Sequence, residues 1–167
     1  MKYRVIVNPL AGRGFGARCL PKLRRLLSEH GLDYDLVCTS WAGEAIDLAR
    51  QAVLDGYETV VAVGGDGTYH EVINGMMAAP RSGRAPDGGV VGNLGVIPVG
   101  SACDFAWMVG IPSDLEGACA RLAQHQTKVI DLGKVTVDAA QDVSQGNQGC
   151  TVYRIRTAIA SVHRPKV

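Results

Sequence analysis

The chain opens on an apolar run, Tyr3 to Val7, that stops at Asn8-Pro9 and gives way to the glycine-rich stretch NPLAGRGFG. A short continuous apolar run bounded by turn residues predicts a buried strand followed by a loop. In CLPKLRRLLSEHG the period changes: Leu20, Leu23, Leu26 and Leu27 recur at helical spacing and Gly31 supplies a stop. This predicts a helix whose leucines pack on a sheet rather than lie on a membrane beside Lys22, Arg24 and Arg25. The alternation then continues. DYDLVCTS predicts a second strand and GEAIDLARQAVLDGY a second helix with Ile46, Ala49, Ala52 and Val53 on one face; TVVAVGG predicts a third strand and YHEVINGMMAA a third helix. After the polar, Pro/Gly-rich PRSGRAPDGGVVGN, read as a loop, come a fourth strand (LGVIPVG) and short helices over CDFAWMVG and DLEGACARLAQ. KVIDLGKVTV reads as a strand, DAAQDVSQGNQG as a polar turn or loop, and CTVYRIRTAIASV as one more strand.

Near-continuous apolar strands alternating with helices of about ten residues predict an α/β fold with a mainly parallel sheet covered on both faces. Where the alternation ends, the chain is divided into a nucleotide-binding domain over 1–131 and, over 132–167, the start of a β-rich second domain or an irregular tail. Ligands of such sheets bind outside the carboxyl ends of the strands. That rule singles out three loops: Asn8 to Gly16, Gly64 to Thr68, and Gly100 to Asp104.

Composition narrows the classes. A chain of 167 residues with 47% hydrophobic and 20% charged residues has the size and make-up of one packed domain. Seventeen Lys+Arg against sixteen Asp+Glu leave a net charge of +1, which supplies no global field for nucleic acid, so any anion site is local and no nucleic-acid partner is expected. The five cysteines (Cys19, Cys38, Cys103, Cys119, Cys150) are odd in number and contain no C-x-x-C pair, which suggests neither a zinc site nor a disulfide framework and fits a reducing, cytoplasmic setting. The apolar run before Asn8 is too short for a signal sequence or a span, so a membrane would be met from its surface.

The glycine loops carry the chemistry. GRGFGA loosely resembles a dinucleotide fingerprint, but the second strand ends in Cys38, Thr39 and Ser40 rather than a ribose-binding acid, and G-x-x-x-x-G-K-[ST] is absent. VVAVGGDGTYHEVINGM is more informative. Gly64, Gly65 and Gly67 allow a sharp turn and close approach to a bulky ligand, while Thr68 and Glu71 have the spacing of a capping box. Capping leaves Asp66 unexplained. A carboxylate at a helix mouth is well placed to hold Mg²⁺ on a nucleotide's phosphates. Ser101 and Asp104 repeat the arrangement after the fourth strand, and Asp131 is an acid inside an apolar strand. Each acid alone reads as structural; three on successive strand units point to metal-assisted phosphoryl transfer.

Together VNPLAGRG, GGDGTYHEVINGM, LGVIPVGSACDFAWMVGIP and VIDLGKV resemble, in order and across roughly residues 4 to 135, the catalytic domain of the diacylglycerol kinase family, which includes bacterial lipid kinases and sphingosine kinases. GGDGT alone is shared with phosphofructokinases and NAD kinases. The resemblance implies a Rossmann-like, phosphofructokinase-like three-layer α/β/α domain that binds ATP, a β-rich second domain that is largely absent here, and transfer of the γ-phosphoryl to a lipid hydroxyl such as that of diacylglycerol. It further implies that Asn8, Thr39, Gly65, Gly67, Thr68 and Glu71 line the nucleotide site, that Arg13 meets phosphate, and that Asp66, Asp104 and Asp131 form a magnesium and water network. The family's general base and much of its lipid-facing surface are implied to lie in the second domain, which leaves a non-catalytic nucleotide-binding module as the alternative reading; NAD kinase is a third. Transient membrane-surface contact follows from the substrate class, and sheet edges left exposed by a missing domain would favour a homodimer. Where the family has G-T-x-N-D-F-A-R, this chain reads Gly100-Ser101-Ala102-Cys103-Asp104-Phe105-Ala106-Trp107. Ser101 keeps the hydroxyl and stays among the cofactor-binding candidates; Cys103 lacks the amide of Asn, and Trp107 replaces a cation.

Overall fold

The apolar runs form the centre of one mixed sheet. A computed structural model describes residues 1–79, 90–134 and 151–158; the expected polar stretches at 80–89 and 138–149, and Cys150, lie outside them. Strands β1 (Lys2–Val7), β2 (Asp33–Cys38), β3 (Thr59–Gly64) and β4 (Val90–Pro98) pair in parallel, and β5 (Thr127–Lys134) and β6 (Thr151–Ala158) complete the order β2-β1-β3-β4-β6-β5. Every residue of β3 is buried, as its unbroken TVVAVG run requires of a strand covered on both faces.

Helices α1 (Ala11–Arg18), α2 (Leu20–Glu29), α3 (Glu44–Leu54), α4 (Asp66–Ala78), α5 (Asp104–Met108) and α6 (Leu115–Ala123) fill the crossovers. α3 packs on α4, and α2 against α6. Leu23, Leu26 and Leu27 of α2 are buried in the core, so the leucine stripe faces protein, and Lys22 beside it pairs with Glu116 of α6. On α3 the buried face is Ala45, Ala49 and Ala52, with Leu48 and Val53 packed at its margins and Ile46 half-buried outside the core cluster.

Two expectations change. The first glycine stretch is not wholly a loop: it forms α1, interrupted by Gly12 (φ 60, ψ 39), Arg13 (φ 57, ψ 45) and Gly14 (φ 82, ψ 8), three successive residues in the left-handed region. β4 begins at Val90, inside the stretch read as a loop. β5 pairs antiparallel with β6, and β6 lies parallel beside β4.

Chain order places the crevice. The chain leaves β1 for β2 on one side, then crosses back to β3 and on to β4 on the other, so the connections after β1 and β3 diverge, which is where ligands enter open parallel sheets.

Candidate functional site

The corner after β3 is built around one carbonyl. Gly64 O accepts hydrogen bonds from the backbone N–H groups of Val99 (2.9 Å) and Gly100 (3.1 Å) and from the Tyr69 hydroxyl (2.8 Å). Burial holds the Tyr69 phenol protonated far above its ordinary range, so it is a permanent donor to that carbonyl. A Cβ on Gly100 would lie 2.5 Å from Gly65 Cα, which explains glycine at this position: the two loops touch backbone to backbone.

Asp66 spans the two corners. Its Oδ2 accepts the N–H of Asp104 at 3.1 Å and its Oδ1 the N–H of Phe105 at 3.0 Å, so a side chain on the first turn of α4 caps α5. Cys103, the residue before α5, adopts φ 57 and ψ 41, a left-handed conformation that Asn tolerates better than Cys. Tyr69 and Phe105 stack tilted at 6.1 Å between ring centroids, tying α4 to α5 beneath the carboxylate.

Neither spacing motif acts as a local cap. α4 starts at Asp66 behind Gly65, which puts Thr68 inside the first turn; its hydroxyl turns toward the sheet, where Asn8 Nδ2 donates to it at 3.2 Å, and no side chain caps the helix. The expected Thr68/Glu71 capping box therefore does not form. Ser101 is exposed and α5 receives no cap from its own flank; Asp66 supplies it instead.

Two adjoining cavities open above these corners. One, of about 400 Å³, is lined by Asn8, Leu10, Thr39, Trp41, Thr68 and Glu71 among others. The second, of about 270 Å³, has a floor of Gly12, Gly65, Gly67 and Gly100 and shares Asn8, Thr68 and Glu71 with the first. The shared residues make them one groove with two lobes. Asn8, at the end of β1, is the fixed post between them: its Oδ1 accepts the N–H of Leu10 at 3.0 Å while its amide reaches Thr68.

Of the residues proposed from sequence, Asn8, Thr39, Gly65, Gly67, Thr68 and Glu71 all line this groove. Asp66 and Asp104 meet at the α4–α5 junction beside it. Arg13 stands on the left-handed turn next to Gly12, and Ser101 next to Gly100. Asp131 is not brought to this cluster. Asp131 pairs with Arg154 and Arg154 with Val90, at the opposite end of β4 from Pro98, which pairs with Gly64. Eight residues of strand separate those levels, roughly 26 Å. The three acids expected together are not all brought to one place: β6 continues the parallel series beside β4, and β5, beyond it, runs antiparallel and carries Asp131 away from the corners where Asp66 and Asp104 stand. The three loops singled out from sequence omit the one after β2, which brings Ser40 and Trp41 to the groove, while Leu10 comes from the first of those three loops; applying the strand-end rule to every parallel strand includes the missing loop.

The profile of the Diacylglycerol kinase catalytic domain matches residues 2–135. The chain belongs to the diacylglycerol kinase catalytic domain family. A diacylglycerol kinase of Staphylococcus haemolyticus (strain JCSC1435) is 31% identical over 163 residues, covering 97% of this chain and 47% of the relative, and one of Staphylococcus aureus (strain JH9) is 31% identical with 97% and 49% covered. A crystal structure of a diacylglycerol kinase from Bacillus anthracis str. Sterne superposes with a TM-score of 0.67 at 26% identity, covering 80% of this chain and 43% of that one. The chain spans about half the length of the curated relatives it matches.

Membership of this family raises the question of Mg²⁺. Among the described residues no group of three or more His, Cys, Asp or Glu side chains could hold a metal ion by itself. Asp66 gives one acceptor site of each oxygen to α5, and each oxygen keeps another. That donor set fits a magnesium ion that arrives on a nucleotide, since Mg²⁺ commonly uses one or two carboxylates, phosphate oxygens and retained waters.

Proposed function

We propose that this chain is the nucleotide-binding half of a cytoplasmic, ATP-dependent lipid kinase that transfers the γ-phosphoryl to the hydroxyl of diacylglycerol or a similar lipid alcohol. The observation that carries this reading is the two-lobed groove at the switch point of the sheet, with a glycine floor beside Asp66 and Asp104. Phosphates can approach the backbone of Gly12, Gly65, Gly67 and Gly100, where no side chain intervenes. Asn8 and Thr68 fix the wall between the lobes, and Arg13, next to Gly12, would add a cation for phosphate. Asp66 and Asp104 would hold Mg²⁺, which when bound neutralises charge on the phosphates. Asp66 meanwhile holds the start of α5 beside the glycine floor through the N–H groups of Asp104 and Phe105. Ser101, exposed beside Gly100, would donate its hydroxyl to a phosphate oxygen. We assign Asp131 no part in the metal site.

No helix among the described residues is long and apolar enough to cross a membrane, which supports a lipid substrate being met by transient contact at the membrane surface. Homodimerisation would use an edge strand, β2 or β5. The test is transfer of labelled γ-phosphate from ATP to diacylglycerol in mixed micelles, with Asp66→Asn alongside. Labelled phosphatidic acid from the unaltered chain and at least about a hundredfold less from the variant is expected. Equal labelling would remove Asp66 from the reaction, and Mg·ATP binding in calorimetry without transfer would establish a nucleotide-binding module.

A further inference from the structure

The apolar lobe of the groove holds a side chain that no motif accounts for. Trp41 is 62% exposed, yet it lines the cavity of about 400 Å³ with Leu10, Thr39 and Glu71. A single exposed aromatic is ordinary on a protein surface; one that walls a cavity continuous with a glycine floor is placed for a ligand. Its backbone is also pinned. Thr39 N–H donates to Val7 O at 2.8 Å, Ser40 N–H donates to the Glu44 carboxylate, and Glu44 N–H donates to Trp41 O at 3.4 Å, so the loop after β2 is anchored to β1 and to the first turn of α3 on either side of the indole. A rigid aromatic face gives contact area at little entropic cost.

Resting on the nucleotide reading above, we propose that Trp41 is the platform on which the nucleobase stacks, and that it sets the direction of the nucleotide in the groove. The two lobes differ in what they can accept. Glycine backbone suits anions, and the Leu10–Trp41 lobe suits a flat, weakly hydrated ring. The base therefore lies over Trp41 and the triphosphate runs toward Gly12, Gly65 and Gly100, which delivers its far end to the corner where Asp66 and Asp104 stand. Glu71 and Asn8, common to both lobes, fall at the ribose between them. Because every base offers a π-face, Trp41 contributes affinity without choosing adenine over guanine.

Calorimetry on this chain with Mg·ATP, Mg·GTP and Mg·tripolyphosphate tests the assignment, because tripolyphosphate needs only the glycine lobe. Trp41→Ala should weaken both nucleotides about tenfold and tripolyphosphate by less than about twofold, and Trp41→Phe should recover most of the loss. A loss shared equally by all three ligands, or no loss at all, overturns the proposal. Fluorescence supplies an arm that leaves the site intact: with Trp107→Phe, emission comes from Trp41 alone and should be quenched by Mg·ATP but not by Mg·tripolyphosphate. Unchanged emission at saturating Mg·ATP overturns it equally. An unaltered chain that fails to bind Mg·ATP sinks the nucleotide reading itself, and with it this one.

Discussion

The corner after β3 and the corner after β4 are written in similar residues: a glycine at or just past the strand end, a hydroxyl, an aspartate and a helix. They are built for opposite roles. At the first, Thr68 is buried and α4 runs from Asp66 to Ala78; at the second, Ser101 and Asp104 are exposed and α5 stops at Met108. Asp66 gives its carboxylate away to the neighbouring helix, whereas Asp104 receives a cap through its N–H and keeps its own carboxylate exposed. Local sequence pattern thus identifies a site without showing which half supports and which half is supported.

The contact between the corners is the place to break this arrangement most severely. Gly100→Ala puts a Cβ 2.5 Å from Gly65 Cα, backbone against backbone, and should cost about 3 kcal/mol in urea unfolding, with nucleotide binding lost. The aspartates come next, and they separate the roles. Asp66→Ala leaves the N–H groups of Asp104 and Phe105 without their acceptor and should destabilise by about 2 kcal/mol, while Asp104→Ala should change stability by less than about 0.5 kcal/mol and weaken only Mg-dependent nucleotide binding. Equal destabilisation by both would erase the distinction.

Alkali probes the first corner through Tyr69, alongside Tyr3, Cys19 and Cys119, whose ionisation burial also pushes up. Tyr69 ionises near its ordinary value of 10 when unfolded and far higher when folded, so above about pH 10 the unfolded chain binds fewer protons and stability falls with rising pH. The share due to this one group approaches 1.4 kcal/mol per pH unit. Tyr69→Phe should be less stable at neutral pH but should lose stability more gently above pH 10; parallel curves would remove Tyr69 as the titrating group. The smallest effect belongs to the second corner. Cys103→Asn places at φ 57 a residue that tolerates it, and a rise in melting temperature of about 3 °C is expected, from roughly 1 kcal/mol of relieved strain.

Much of the frame was legible because it rests on local periodicity. β1, β3 and the leucine face of α2 follow from runs and spacings only a few residues long, and the buried TVVAVG strand could hardly sit elsewhere than the middle of the sheet. The groove residues were legible by resemblance. What failed was non-local. T-x-x-E spacing does not say where α4 begins, and a start at Asp66 turns Thr68 into a sheet-facing hydroxyl held by Asn8. The cap of α5 comes from 38 residues upstream, beyond the reach of any spacing rule. Asp131 stands out in sequence as an acid inside an apolar strand and by resemblance, neither of which shows that β5 runs antiparallel to β6 and carries it toward the other end of the sheet.

The hydrogen bonds from Asp104 and Phe105 to Asp66 also impose an order on folding. β1, α2 and β2 can close on one another early, but Asp66 has no partner until the chain has passed residue 105 and β4 has docked beside β3. On a ribosome the glycine floor is therefore a late event, completed by a segment translated well after the turn it stabilises. An α4 that forms promptly stands for that interval with its carboxylate in water, and the moment it is captured by α5 is the moment the groove acquires its final shape.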